Sequence, residues 1–457
     1  MAKRIVIIGG GPGGYEAALV AAQFGAEVTV IEAGGIGGAA VLTDCVPSKT
    51  LIATADRVGR TNVSGELGVR VGGEVPHQGT VSVDFGLLNR RVIALAKAQS
   101  EDIAGRLRDA GVEIIEGHGR LVAPDRVAVG DVQIAADVIL LATGARPREL
   151  PTAIPDGERI LTWQQLYDLN ALPERLIVVG SGVTGAEFAN AYTGLGSSVA
   201  LVSSRARVLP TQDPDAAEVL EDVLQKRGMQ LVPRSRAEAV ERTADGVVVR
   251  LADGTELTGT HCLMAVGAVP NTEDLGLADV GVETDHGYVA VDKVSRTNIN
   301  GIYAAGDCTG VLPLANVAAM QGRIAMWHAL GEAVSPLNLK VVSSNVFTDP
   351  QIASVGVTQA EVDSGVARAH GIKLPLATNA RAKMQGVHEG FVKIFCRVSG
   401  TVVGAVVVAP NASELIYSLA LATELGLNVD DLATTFTVYP SLSGSIAEAA
   451  RRLHAVE

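Results

Sequence analysis

Four consecutive apolar residues, Ile5-Val6-Ile7-Ile8, run directly into Gly9, Gly11 and Gly14, and the pattern returns as Leu176-Ile177-Val178-Val179 followed by Gly180, Gly182 and Gly185. Each copy predicts a strand, a tight turn and a helix start. A second apolar run follows each: Val28-Thr29-Val30-Ile31 ending at Glu32, and Val199-Ala200-Leu201-Val202 ending at Ser203. Two further runs, Val138 to Ala142 before Thr143-Gly144 and Leu263 to Val266 before Gly267, read as matched strand ends that turn at glycine. Another apolar strand leads into Gly306-Asp307, with a helix expected from Pro313 onward. The remainder is strand-rich over Val392 to Phe395 and Thr401 to Val408, then helical from Ser413 and again from Ser443.

The repeated glycines carry chemistry. The first makes the turn, the second lets backbone approach a pyrophosphate, and the third lets helix pack on strand. Eighteen residues beyond Gly14 stands Glu32, and eighteen beyond Gly185 stands Ser203. A carboxylate at that place bonds a free ribose 2′-OH, whereas a neutral residue with arginines nearby tolerates a 2′-phosphate. Ser203-Ser204 with Arg205 and Arg207 fits the second case. Taken alone, Glu32 reads equally as a solvated strand-end carboxylate and the arginines as surface charges. Together, the two fingerprints predict two different dinucleotides in one chain.

At 457 residues the chain accommodates about three domains, and 47% hydrophobic with 19% charged residues supports a large core. A net charge of −13 argues against a nucleic-acid binder or a polybasic membrane anchor. No run of 18 apolar residues predicts a membrane span, and no cleavable signal precedes Ile5, so a cytoplasmic protein is expected. Cys45, Cys262, Cys308 and Cys396 lack metal-ligand spacing, so no metal is expected. The repeat and the proline-punctuated junctions give a first nucleotide unit over 1–147 and a second over 148–270, followed by a segment over 271–340 with a further apolar strand and a last block over 341–457. The last block has no fingerprint and is expected to pack on a second copy of itself.

These segments resemble the flavoprotein disulfide reductases over nearly the whole length. The first fingerprint with Glu32 is similar to the family's FAD site. Thr297 to Asp307 resembles its second FAD motif, with Asp307 on the ribityl chain, and Ala142-Thr143-Gly144 and Val266-Gly267-Ala268-Val269-Pro270-Asn271 match as well. Val346-Phe347-Thr348-Asp349-Pro350 resembles the opening of the dimerisation domain. The resemblance implies an α/β protein with two Rossmann-like dinucleotide-binding domains and a C-terminal α+β dimerisation domain, assembled as a homodimer. It also implies FAD contacts near Gly306 and at Ala315. Alone, Asp307 reads equally as a helix N-cap.

The departures are as informative. The family's Gly-Gly-x-Cys-x-x-x-x-Cys-x-Pro-Ser-Lys is here Gly37-Gly38-Ala39-Ala40-Val41-Leu42-Thr43-Asp44-Cys45-Val46-Pro47-Ser48-Lys49, so the exchanging cysteine is Ala40. Disulfide exchange needs two sulfurs. The family's His-x-His-Pro-(Thr/Ser)-x-x-Glu is here Thr437 to Gly444, with Tyr439 for the catalytic histidine and Gly444 for its glutamate. Tyrosine, with an ordinary pKa of about 10, is a poor proton shuttle at neutral pH. Lys49 and Glu187 survive, and in the family this pair sits where hydride reaches the flavin. Cys45 reads equally as an inert small hydrophobe or a group tuning the flavin. The expected activity is hydride transfer from NADPH or NADH through FAD to a small non-disulfide acceptor, best a quinone, with Ala40 and Tyr439 lining the acceptor pocket. The rivals are a pyridine-nucleotide transhydrogenase and a non-catalytic FAD-binding sensor or scaffold. A residual disulfide activity pairing Cys45 with Cys308 is the remotest.

Overall fold

A computed structural model describes residues 2–454 and divides into two compact units. One holds the chain up to Thr50 together with Asn89–Arg148 and Gly267–Asn338; the other holds Leu51–Leu88, Glu149–Val266 and the chain from Leu339 onward.

The first unit is built on a five-stranded parallel sheet in the order Ile302–Ala304, Val138–Leu141, Arg4–Ile8, Glu27–Glu32, Glu113–Glu116. Its central strand is apolar without alternation because both faces are covered. Ile5 and Ile7 join one core cluster, with the helix Pro12–Gln23, while Val6 and Ile8 join another, with Leu121 and Val289. The helices Pro12–Gln23 and Ala315–Leu330 pack closely: a Cβ on Gly322 would strike the Gly13 carbonyl. The helix expected from Pro313 thus begins at Ala315. An antiparallel three-stranded meander, Gly119–Ala123, Arg126–Val129 and Val132–Ala135, completes the unit.

The second unit repeats the plan. Its parallel sheet runs Gln230–Val232, Ser198–Val202, Arg175–Val179, His261–Met264, Ile160–Leu161, with the helix Val183–Leu195 after the central strand and a meander over Ala237–Arg242, Val247–Leu251 and Glu256–Gly259. The same unit contains an antiparallel sheet ordered Ser343–Val346, Gln351–Gly356, Val402–Ala409, Phe391–Cys396, His370–Pro375. Helices Ala412–Leu425 and Gly444–Leu453 cover one face of it, burying Ile416, Leu419, Ile446 and Ala449. The expected α/β class and C-terminal α+β sheet are both present.

Candidate active site

Glycine chemistry at the two fingerprints is the same to the atom. Gly9 has φ +107° and Gly180 φ +112°, and a Cβ there would strike the carbonyl of Ala142 or Ala265 on the neighbouring strand. A Cβ on Gly14 would strike the Gly9 carbonyl, and one on Gly185 the Gly180 carbonyl. The middle glycines differ: a Cβ on Gly11 or Gly182 would meet nothing within 4 Å. Both are helix N-caps, and neither helix start is capped by a side-chain hydrogen bond. Outer glycines packed and inner glycine open is the cradle a pyrophosphate needs.

The strand ends distinguish the sites. Glu32 accepts the Gly10 N–H at 2.5 Å and the Gly34 N–H at 2.6 Å. This fixes its carboxylate while leaving lone pairs for ribose hydroxyls. It borders a cavity of about 490 Å³ that also meets Gly9, His118, Thr143, Arg146 and Asn271. In the second unit Ser203 is buried, and its hydroxyl lies 2.6 Å from that of Ser181. Ser203 therefore anchors the turn, and Ser204, Arg205 and Arg207 are the members that face solvent.

Several expected flavin residues gather in the first unit. The Thr143-Gly144 turn is stapled to Asn271: the Thr143 hydroxyl donates to the Asn271 carbonyl at 2.6 Å, and the Asn271 amide returns a bond at 3.0 Å. Asp307 opens the short turn Asp307–Thr309 and caps no longer helix. Gln321, buried in an otherwise apolar helix stretch, accepts the Gly306 N–H at 2.9 Å and so fixes that turn. The Asp307 carbonyl accepts the Gly310 N–H, but its carboxylate accepts no hydrogen bond among the described residues. Burial, and then the charge of Asp44, push its carboxyl above the usual range. Burial raises Asp44 as well, with Lys49 opposing. A half-buried carboxyl without a protein donor fits a hydroxylated ligand chain. Gln321 and Asp44 escaped the sequence reading; a lone glutamine among buried apolar helix positions was the one available signal. Ala315 is the first residue of its helix and is exposed.

None of the four cysteines forms a disulfide. Cys45 opens the helix Cys45–Asn62 and is half-buried. Cys308 is fully buried, donates to the Ala305 carbonyl at 3.3 Å, and burial pushes its thiol up to about 11, which suits a core residue and not an exchanging thiol. In the second unit Glu187 is 2% exposed and accepts the Phe347 N–H at 2.8 Å. Gly267 has φ +97°. Tyr439 is 85% exposed, on a segment with Phe436 and Val438, which are also exposed. Gly444 opens the last helix and donates its N–H to Ser441.

Two dinucleotide folds in one chain, one with a carboxylate strand end and one without, define a flavin- and nicotinamide-dependent oxidoreductase. The chain belongs to the pyridine nucleotide-disulphide oxidoreductases: that family model matches residues 3–322, and the family's dimerisation domain matches 342–450. FAD and NAD(P)H are the family's cofactors. The chain is 55% identical to an NAD(P)H dehydrogenase (quinone) of Mycobacterium tuberculosis, over 100% of this chain and 94% of that one. It is 34% identical to the dihydrolipoyl dehydrogenase of Bacillus subtilis, over 97% and 95%. The crystal structure of LpdA from Mycobacterium tuberculosis superposes with a TM-score of 0.94 at 54% identity, covering 99% of this chain and 100% of that one. Among the described residues no helix is long and apolar enough to cross a membrane.

Proposed function

We propose that this protein is a cytoplasmic, homodimeric FAD-dependent NAD(P)H dehydrogenase that reduces a quinone and does not reduce disulfides. The observation that carries the reading is Ala40: the family frame around it is intact, but the exchanging sulfur is missing. Tyr439 and Gly444 extend the loss to the proton relay, and the similarity to a quinone dehydrogenase supports the same acceptor. The net reaction is NAD(P)H plus quinone plus a proton giving NAD(P)⁺ and hydroquinone. Bound FAD would supply the hydride-accepting and two-electron-donating chemistry that no side chain of this chain offers.

The chain's residues do the rest. Gly9, Gly11 and Gly14 admit the pyrophosphate, Glu32 holds the adenosine ribose, and Asp307 orients the ribityl chain. Thr143, Gly144, Gly306 and Ala315 shape the flavin site with backbone and hydroxyl groups. Lys49 sets positive charge where hydride arrives, and Cys45 bounds the ring. Gly180, Gly182 and Gly185 shape the nicotinamide nucleotide site, Ser203 anchors its turn, and Ser204, Arg205 and Arg207 meet a 2′-phosphate. Glu187 serves the nicotinamide end. Tyr439, exposed with Phe436 and Val438, is offered to a second copy; light scattering should give twice the 47.1 kDa chain mass.

The test is anaerobic turnover of the purified holoenzyme with NADPH against lipoamide, oxidised glutathione, thio-NAD and a small benzoquinone. Rapid benzoquinone reduction with both disulfides silent is expected. Appreciable disulfide turnover would refute the reading, and production of reduced thio-NAD as the sole turnover would replace it with transhydrogenation.

A further inference from the structure

Glu187 does not stand alone. Its Oε1 accepts the Phe347 N–H at 2.8 Å, and Phe347 begins the segment Phe347-Thr348-Asp349-Pro350. Thr348 is fully buried, and its hydroxyl donates to the Pro350 carbonyl at 2.7 Å, which stiffens the segment. Asp349 is gripped by two guanidiniums, Arg227 at 2.7 Å and Arg60 at 3.3 Å. Arg227 also donates to Asn190 Oδ1 at 3.4 Å. Asn190 is buried on the helix Val183–Leu195, one turn beyond Glu187. The path from Glu187 through Phe347, Asp349, Arg227 and Asn190 therefore closes into a ring whose last side is a turn of helix.

We propose that Asp349 is a positioning residue for Glu187, and that Asp56 makes its grip depend on pH. The inference rests on the reading of Glu187 as a residue of the nicotinamide site. Asp56 lies on the helix Cys45–Asn62, one turn before Arg60, and its carboxylate accepts no hydrogen bond among the described residues. The charged groups facing it are Arg60 from its own helix, Asp349 from the segment after the strand Ser343–Val346, and Arg227 from the end of the helix Pro214–Lys226. The helix Val183–Leu195 contributes to this ring the neutral Asn190. Burial, and then the charge of Asp349, push Asp56 up to about 7, against the pull of both arginines. Neutral Asp56 leaves both guanidiniums to Asp349. Ionised Asp56 competes for them, first for Arg60, whose bond is the longer. The Asp349 segment then loosens, and with it the N–H that fixes Glu187.

Single-turnover flavin reduction by NADPH, followed anaerobically by stopped flow from pH 5.5 to 9, reads this directly. Hydride transfer moves its hydrogen and both electrons together, so its rate reports alignment more than proton supply. In the native holoenzyme the rate should fall about fivefold as pH rises through about 7. Asp56→Asn should hold the low-pH rate across the range. Asp349→Asn should slow reduction about tenfold at every pH, with Asp349→Glu restoring part of it. An Asp56→Asn profile that superimposes on the native one, or an Asp349→Asn rate within about twofold of native, overturns the inference. A native holoenzyme that NADPH does not reduce at any pH overturns the parent reading instead. Asp56→Asn relieves a repulsion, so it remains informative if Asp349→Asn fails to fold.

Discussion

The two dinucleotide folds are near copies until their second strands end. In the first, the Gly10 N–H donates to the Glu32 carboxylate at 2.5 Å; in the second, the corresponding positions put the Ser181 hydroxyl 2.6 Å from that of Ser203. Both links tie the glycine turn to the neighbouring strand, so both preserve the cradle. Only one leaves a negative charge at its mouth. On the proposed reading, backbone geometry sets where a pyrophosphate goes, while a single pair of side chains decides which ribose follows it. On that reading one scaffold serves two ligands because the strand-end pair can be exchanged without disturbing the turn.

The sharpest way to break this comparison is to place the same side chain in both copies. A Cβ at Gly14 or Gly185 strikes the carbonyl of its own first glycine, and valine cannot shift to avoid a backbone atom. Gly14→Val should purify without bound FAD. Gly185→Val should purify yellow, with flavin reduction by NADPH slowed by at least about a hundredfold. Absorbance of the purified proteins and stopped-flow reduction decide it. If Gly185→Val reduces at the native rate, the second fold is not the nicotinamide site.

A smaller change probes the strand ends. Arg205 and Arg207 are exposed beside the Ser203 turn, placed to form charge-assisted hydrogen bonds of about 1.5–3 kcal/mol with a phosphate. Replacing both with alanine should raise KM for NADPH by about tenfold or more, since 1.4 kcal/mol is a factor of ten, and leave KM for NADH little changed. Steady-state kinetics with the two nucleotides tests this. An equal effect on both would show that the arginines act on the fold or on the shared diphosphate.

Much of this architecture is legible in the chain because parallel strands covered on both faces must be apolar without interruption. Ile5 to Ile8 and Leu176 to Val179 announce themselves for that reason, and packed glycines punctuate them. The two meanders do not: Arg126–Val129 and Glu256–Gly259 each bury little more than a single side chain, so their alternation is too brief to read. Site residues divide likewise. Glu32 and Asp307 stand at motif positions, and the loss of a thiol at Ala40 is plain text. The burial of Ser203 follows from its neighbour Ser181, distant in sequence, and no spacing rule foretells it. Gln321 and the Asp349 ring depend on which helices meet, which only coordinates reveal.

The least dramatic prediction concerns stability, and it separates the second fold from the first. Asp56 sits in the second unit, and burial beside Asp349 raises its carboxyl from the ordinary 3.8 to about 7. A raised acid pKa means the native state binds more protons than the unfolded chain between those values. Stability contributed at this site is therefore whole below about pH 4, declines as pH rises, and is lost above about 7. Asp56→Asn mimics the neutral form at every pH. Its holoenzyme should melt like the native one near pH 4 and about 3 °C higher at pH 8. The difference between the two melting curves cancels the other titrating groups, so its slope with pH belongs to Asp56. A melting difference that stays flat with pH would mean the Asp56 carboxyl titrates as in water, and that the arginines around Asp349 already shield it.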